Sequence, residues 1–364
     1  MPDPIKGRGA VSHIAHRFDP LVRAADGDWL DWTGALDPDD PEALPALPLR
    51  TRVSFETARS LITGNDSPDI PFDRSINPYR GCEHGCVYCY ARPTHSYLNL
   101  SPGLDFESRL VAKRNAADVL VRELAAPSYR PSLIALGTAT DAYQPVEREL
   151  RITRGLLEVL ASTLHPVGIV TKSALIERDL DLLVPMAQAG VVQTFVSITT
   201  LDPELSRRLE PRAASPARRL RTVRTLAEAG VPVHVNFAPV IPFINEPELE
   251  RVLEAAAEAG ARRCHYTVVR LPWEVAPLFQ EWLLAHYPER AERVMARLRG
   301  MHGGRDYEAR FGARMKGQGV WADLIRARFE AACRRLALAV DTPPLRTDAF
   351  RPPAQPPGPQ LALF

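Results

Sequence analysis

Asn77-Pro78-Tyr79-Arg80-Gly81-Cys82-Glu83-His84-Gly85-Cys86-Val87-Tyr88-Cys89-Tyr90-Ala91 is the stretch on which the reading of this chain turns. Three residues and then two separate its cysteines, so they cannot share one face of a straight strand. In a loop they can fold inward around a compact centre, and Gly81 and Gly85 permit the positive φ angles such wrapping needs. Soft thiolates select iron–sulfur, zinc or Cu(I). The informative point is three cysteines rather than four. A structural zinc or an electron-transfer cluster closes its coordination with four protein ligands. Three leave one position open, and an open position implies chemistry. His84 or His95 would be needed for a Cys3His zinc site. His84, between two cysteines, would strain a tetrahedron, and no second cysteine pair follows at zinc-ribbon spacing.

Working outward, short β-rich runs alternate with longer helical patterns from Ser75 onward, the mark of βα units around a parallel sheet. The strand candidates are Ser75–Asn77, Leu133–Leu136, Val167–Val170, Val192–Ile198, Val233–Phe237 and His265–Val269. Between them lie amphipathic helical segments such as Glu149–Leu164 and Pro216–Ala229, the second stopped by Gly230. Six strands with five helices are too few for an eightfold barrel, and the count favours an open, partial (β/α)6 barrel of the TIM type. Spacing alone leaves a doubly wound α/β sheet open.

Residues 1–70 are rich in Pro, Asp and Gly and read as an irregular N-terminal arm; the core then spans 71–275. Residues 276–340 read as a helical extension interrupted at Gly300-Met301-His302-Gly303-Gly304, and 341–364 as a Pro-rich disordered tail. The net charge of +1 over 364 residues announces no molecule-wide affinity for nucleic acid or membrane. The first residues lack the apolar core of a secretory signal, and no run is long enough to span a bilayer, so a cytoplasmic protein is expected. Three of the five cysteines are bunched, which in a reducing compartment points to metal or catalysis. Cys264 and Cys333 are isolated and read as buried free thiols.

The cysteine spacing, the aromatic Tyr88 before the third cysteine and the partial barrel that follows resemble the radical S-adenosylmethionine (SAM) superfamily. Within it, the chain is similar to the branch containing spore photoproduct lyase and to uncharacterised bacterial proteins grouped beside it, over about residues 70–270. The resemblance implies a 4Fe–4S cluster on Cys82, Cys86 and Cys89 whose open iron chelates the amino and carboxylate groups of SAM. An electron then cleaves the C–S bond, giving methionine and a 5′-deoxyadenosyl radical that abstracts hydrogen. It also implies a low-potential electron donor of the ferredoxin or flavodoxin type.

Carried over strand by strand, the resemblance assigns Thr140 and Asp141 to the SAM amino group. It assigns Lys172 and Ser197 to the carboxylate, and Ala238 to the segment along the adenine. Tyr88 would pack on the adenine and Tyr90 would relay the radical. The bland readings are helix N-caps for Thr140, Asp141 and Ser173, a solvated cation for Lys172, and loop packing for the tyrosines. One departure stands out: where the lyase has a hydrogen-donating cysteine at the end of the second strand, this chain has Thr138, whose O–H bond is far too strong for that task. Arg270 and Glu274 at the rim are candidates to touch substrate. Arg207, Arg208, Arg212, Arg218 and Arg219 form a candidate phosphate-binding patch.

The chain ends Gln360-Leu361-Ala362-Leu363-Phe364. This is similar to the short peptides that dock bacterial repair proteins to the sliding clamp, with Leu361, Leu363 and Phe364 as anchors and Gln360 at the groove edge. The expected function is therefore radical SAM chemistry, with damaged DNA as one substrate class. A small molecule, peptide or RNA is the second reading, and a non-catalytic iron–sulfur or zinc adaptor that binds nucleic acid or the clamp is the third.

Overall fold

The computed structural model describes residues 4–18 and 49–354. Ten strands lie in two sheets: β1 Arg52–Glu56, β2 Thr63–Gly64, β3 Arg74–Ile76, β4 Tyr79–Arg80, β5 Arg109–Lys113, β6 Ile134–Leu136, β7 Val167–Thr171, β8 Val192–Ser197, β9 Val233–Val240 and β10 Arg263–Val268. The larger sheet runs β2-β3-β6-β7-β8-β9-β10, with every neighbour parallel except the short edge pair β2–β3. Spatial order therefore follows chain order from β3 to β10. A doubly wound sheet would reverse direction once; this one never does, and it curls into the expected partial barrel.

Helices fill the crossovers: α1 Leu104–Ser108 and α2 Ala116–Leu124, then α3 Glu147–Leu150 and α4 Ile152–Ser162, then α5 Leu180–Gln188, α6 Pro203–Leu209 with α7 Pro216–Glu228, and α8 Leu249–Glu258. The expected helix from Glu149 is split at Arg151, whose φ of 51° interrupts the helical run. Three further helices make the extension: α9 Val275–His286, α10 Pro288–Met301 and α11 Val320–Arg335. Among the described residues, no helix is long and apolar enough to cross a membrane.

Both ends of the chain differ from their expected texture. Arg52–Glu56, read as part of an irregular arm, is a strand paired in parallel with β5, which pairs in turn with β4 of the cysteine loop. Residues 4–18 have no regular structure, yet Val11 is buried, and Ala10 is buried against α9 and α1 through Leu278 and Leu104. At the other end, residues 341–354 lie on the barrel: Arg346 N donates to Gly190 O at 3.0 Å, Arg351 N to Thr163 O at 2.8 Å, and Phe350 packs on His165. These contacts recur too far apart in sequence for a pattern to reveal them. The peptide with Gln360, Leu361, Leu363 and Phe364 lies outside the described residues.

Candidate active site

The C-terminal ends of β3, β6, β7, β8, β9 and β10 converge on a cavity of about 280 Å³, lined by Cys82, Cys86, Cys89, Tyr88, Tyr90, Thr140, Asp141, Lys172, Ser197 and Ala238 among others. The three bunched cysteines and every cofactor residue singled out from the sequence thus line one space. Ligands bind in this kind of sheet where the strands end. Ile70, Phe72, Thr138, Asn236, Thr267, Arg270 and Met315 complete the wall. Of these, only Thr138 and Arg270 were picked out from sequence.

The cysteine loop leaves β3 and is pinned on all sides. Cys82 N donates to Phe106 O at 2.9 Å, Val87 N to Leu209 O at 3.1 Å, and Cys89 N to Cys86 O at 3.2 Å. Behind it lies a buried ion pair, Arg92 with Glu107, both fully enclosed, at 2.8 Å. Arg92 also donates to the carbonyls of Cys86 (2.9 Å), Gly85 (3.1 Å), Pro102 (3.0 Å) and Gly103 (2.8 Å). Glu107 accepts from the amides of Gly9 and Ala10, both at 2.9 Å, so the N-terminal segment is strapped to the back of the loop. Glycine is required on both sides of that contact. A Cβ on Gly9 would sit 1.7 Å from Gly85 O, and one on Gly85, at φ +67°, would sit 2.5 Å from Glu107 Oε2.

The three thiols are free. Burial pushes the Cys86 thiol up to about 12, with Lys172 pulling the other way. Among the described residues, no group of three His, Cys, Asp or Glu side chains is gathered closely enough for a single metal ion. Three thiols spread around one cavity wall, with no fourth protein thiol beside them, suit a polynuclear cluster with one open iron. The donor set therefore fits a 4Fe–4S cluster.

Thr140 and Asp141 line the cavity but spend their polar atoms on the protein. Thr140 Oγ1 donates to Gly81 O at 2.7 Å and accepts from Gln144 Nε2 at 2.9 Å. Asp141 accepts from Thr171 Oγ1 (2.8 Å), Lys172 N (2.7 Å) and Tyr143 N (2.8 Å), and lies 3.2 Å from His84 Nδ1. Burial alone would raise its pKa; the His84 ring and these donors overcome that and hold it at about 2. Together the two residues tie the cysteine loop to β6 and β7. Ser173, the alternative cap, does accept from Leu175 N at 3.2 Å.

Lys172 behaves differently. Its Nζ, 5.9 Å from the Tyr88 ring centroid, has no hydrogen-bond or carboxylate partner among the described residues. Burial works against its charge, yet the Cys86 sulfur and Glu210 outweigh it and raise its pKa. A charged ammonium facing a cavity without a counter-ion is a ready anion site. Tyr88 presents its ring to the same space while its hydroxyl donates to buried Glu210, which also accepts from Thr199 (2.5 Å) and pairs with buried Arg219. Arg219 continues to Ser197 O at 2.9 Å, so this chain of bonds fixes the Tyr88 side of the cavity relative to β8. Tyr90, nearly half exposed at the mouth, donates to Thr138 O and stacks under Arg270 at 4.3 Å.

Two other expectations are corrected. Glu274 does not reach the cavity: it binds the N-terminal segment, its Oε1 accepting from Arg17 N and its Oε2 from Arg17 Nη1, each at 3.0 Å. The arginine patch is largely neutralised. Arg208 pairs with Glu204, Arg212 with Glu83 (2.9 Å), Arg218 with Glu177 (2.5 Å) and Arg219 with Glu210. Two of these partners, Glu83 and Glu177, come from distant parts of the chain and were invisible in a count of local charge.

The family model described as the radical SAM superfamily matches residues 76–256, from β3 into α8. The chain belongs to the radical SAM superfamily. Among its relatives, an uncharacterized protein of Mycobacterium tuberculosis is 39% identical over 226 residues, 62% of this chain and 66% of the relative, just under two thirds of its length. An uncharacterized protein of Methanocaldococcus jannaschii is 27% identical over 60% of this chain and 78% of its own. In fold, this radical SAM protein is similar to spore photoproduct lyase solved with a dinucleoside spore photoproduct, at a TM-score of 0.54 and 16% identity over 78% of this chain and 79% of that one. A lyase variant solved with AdoMet and the same ligand gives a TM-score of 0.55 at 17% identity, over the same shares.

Proposed function

We propose that this chain is a radical SAM enzyme that binds a 4Fe–4S cluster through Cys82, Cys86 and Cys89 and cleaves SAM reductively. The observation that supports it is the gathering of those cysteines, Lys172, Tyr88 and Ser197 around one cavity at the strand ends. When bound, the cluster supplies the electron that opens the C–S bond, and SAM supplies the hydrogen-abstracting adenosyl fragment.

The protein's own part is binding, orientation and exclusion of water. Lys172 meets the SAM carboxylate with its unpartnered ammonium, and the Ser197 hydroxyl adds a hydrogen bond from the neighbouring strand. The Tyr88 ring and the Ala238 edge flank the adenine. Tyr90 and Arg270 stand where substrate would enter, and Ile70, Phe72 and Met315 wall that entrance with apolar surface. Thr140 and Asp141 contribute by holding the cysteine loop on β6 and β7.

The fold likeness to a lyase solved with a dinucleoside ligand supports a damaged-DNA substrate. A 29% match over 112 residues to a protein named PqqA peptide cyclase, from Granulibacter bethesdensis, favours a peptide as the second reading. Recruitment to the sliding clamp rests on residues 360–364, and a clamp pull-down that survives their deletion would remove it. The SAM site is tested by calorimetry on the anaerobically reconstituted protein. Lys172→Ala should weaken SAM binding about tenfold, the effect of losing one charge-assisted contact, with the cluster absorbance unchanged. Undiminished affinity would sink the assignment.

A further inference from the structure

With that arginine patch largely neutralised, a second group of arginines stands out on α10, in the extension beyond the family-matched stretch. Arg290, Arg293 and Arg297 lie three and four residues apart and so share one helix face. The Arg293 guanidinium stands 4.0 Å from the ring centroid of Phe243, and that of Arg297 stands 4.4 Å from Trp321; the two rings are 5.5 Å apart. Arg290 donates to Phe243 O at 3.4 Å. Among the described residues Arg293 and Arg297 have no carboxylate partner, whereas Arg299 on the same helix pairs with Asp306 at 2.6 Å. The exposed Arg293 and Arg297 guanidiniums thus lie over rings without counter-ions, and Arg290 beside them is 3.7 Å from Glu289.

The ring beneath them is held at a cost. Phe243 has φ +62°, a left-handed conformation that is an outlier for a bulky side chain. Such positions persist where the surroundings over-determine them and cluster at functional sites. Buried Asn245 supplies that constraint: its amide donates to Thr199 O (2.7 Å) and Pro239 O (2.8 Å), and its oxygen accepts from Ile241 N (2.6 Å). Pro239 lines the cavity, so the strip stands on the same face of the barrel as the mouth. Across that face the chemistry repeats: Trp273, at φ +47° and 65% exposed, lies 4.4 Å from Arg17, and Arg270 covers Tyr90.

We infer that the α10 arginines and the rings of Phe243 and Trp321 form a docking strip for an unpaired nucleic-acid strand that leads to the cavity mouth. A guanidinium stacked on a ring keeps its N–H edge outward for phosphate, already oriented. Tyr90 at the mouth and Trp273 across the same face, 46% and 65% exposed, offer ring surface for stacking to bases, a combination that fits single strands. An acidic peptide would satisfy the charges and leave the rings unused. The inference deepens the function proposed above by naming a partner class, but strand binding is read without turnover, so the two fail separately.

The test uses the anaerobic holoenzyme and fluorescence anisotropy with short mixed-sequence DNA and RNA strands, and polyglutamate as the acidic control. Either strand should bind, the tighter of the two identifying the natural source. The logarithm of affinity should fall against that of salt with a slope of about −2, from about 0.7 per phosphate met by Arg290, Arg293 and Arg297. Arg293→Ala with Arg297→Ala should weaken binding at least about tenfold and flatten the slope by about 1.4. Arg293→Lys with Arg297→Lys should keep the slope but lose affinity, since lysine lacks the planar fork. Both variants should release 5′-deoxyadenosine as the parent does in the absence of substrate. Strand affinity unchanged in the alanine variant, or polyglutamate binding as tightly as the strands, would overturn the inference.

Discussion

Lys172 and Asp141 look alike in sequence, as polar residues just beyond adjacent strand ends. The structure separates them. Asp141 is saturated by three donors and a histidine, whereas the Lys172 ammonium is left to the cavity. Residue types and spacing located both, but only side-chain partners tell a brace from a binding group. Glu107 is the reverse case. Nothing in its local sequence marks it, yet it joins Arg92, Gly9 and Ala10 behind the cysteine loop. Glu107→Gln leaves Arg92 enclosed without a counter-charge, and breaking a buried pair of this kind costs about 3–5 kcal/mol. Urea denaturation of the variant should show a loss of that order; a loss below about 1 kcal/mol would mean that the strap carries no load.

At the scale of elements, the six parallel strands and most crossover helices were legible because buried strands and amphipathic helices write their periods into the sequence. Strand order was not, since spacing fits a reversed sheet as well. The small sheet of β1, β5 and β4 escaped notice because Arg52–Glu56 is half-exposed and sits in Pro-rich surroundings. Closure of the open barrel was equally hidden. Residues from the β2–β3 connection meet the loop before α11 across the cavity mouth: Arg314 Nε pairs with Asp69 at 2.6 Å, Gly312 N donates to Asp69 at 2.7 Å, and Met315 O accepts from Val268 N at 2.9 Å. This clasp joins the two edges of the sheet. Asp69→Ala should speed hydrogen exchange in residues 310–316 and at the Val268 amide, with β7 and β8 unaffected. Equal exchange in parent and variant would show that the loop is held by other contacts.

For the whole molecule, a near-neutral sum concealed local order: several charges are paired across long sequence distances, as Arg212 with Glu83 and Arg314 with Asp69, while Lys172 faces the cavity and Arg293 and Arg297 lie on α10 without ion pairs among the described residues. Stability carries a similar hidden dependence on pH. His165, His234 and His265 are pushed down to about 4, in each case first by burial. His234 and His265 stack within the barrel at 5.8 Å, and His165 lies beneath Phe350. The folded protein keeps these rings neutral while the unfolded chain protonates them below about 6.5. Stability is therefore full above that pH and falls as pH drops toward 4, by up to about 3 kcal/mol for each ring. Chemical denaturation across this window should show the decline, and His165→Phe should make it shallower.

The central claim is that Cys82, Cys86 and Cys89 build a centre that cleaves SAM. It is tested most directly by reconstituting the protein anaerobically with iron and sulfide, adding dithionite and SAM, and quantifying 5′-deoxyadenosine by chromatography. The parent should carry a 4Fe–4S spectrum and release 5′-deoxyadenosine, and Cys86→Ala should lose both. A colourless, zinc-loaded parent, or one that binds the cluster but leaves SAM intact, would contradict it.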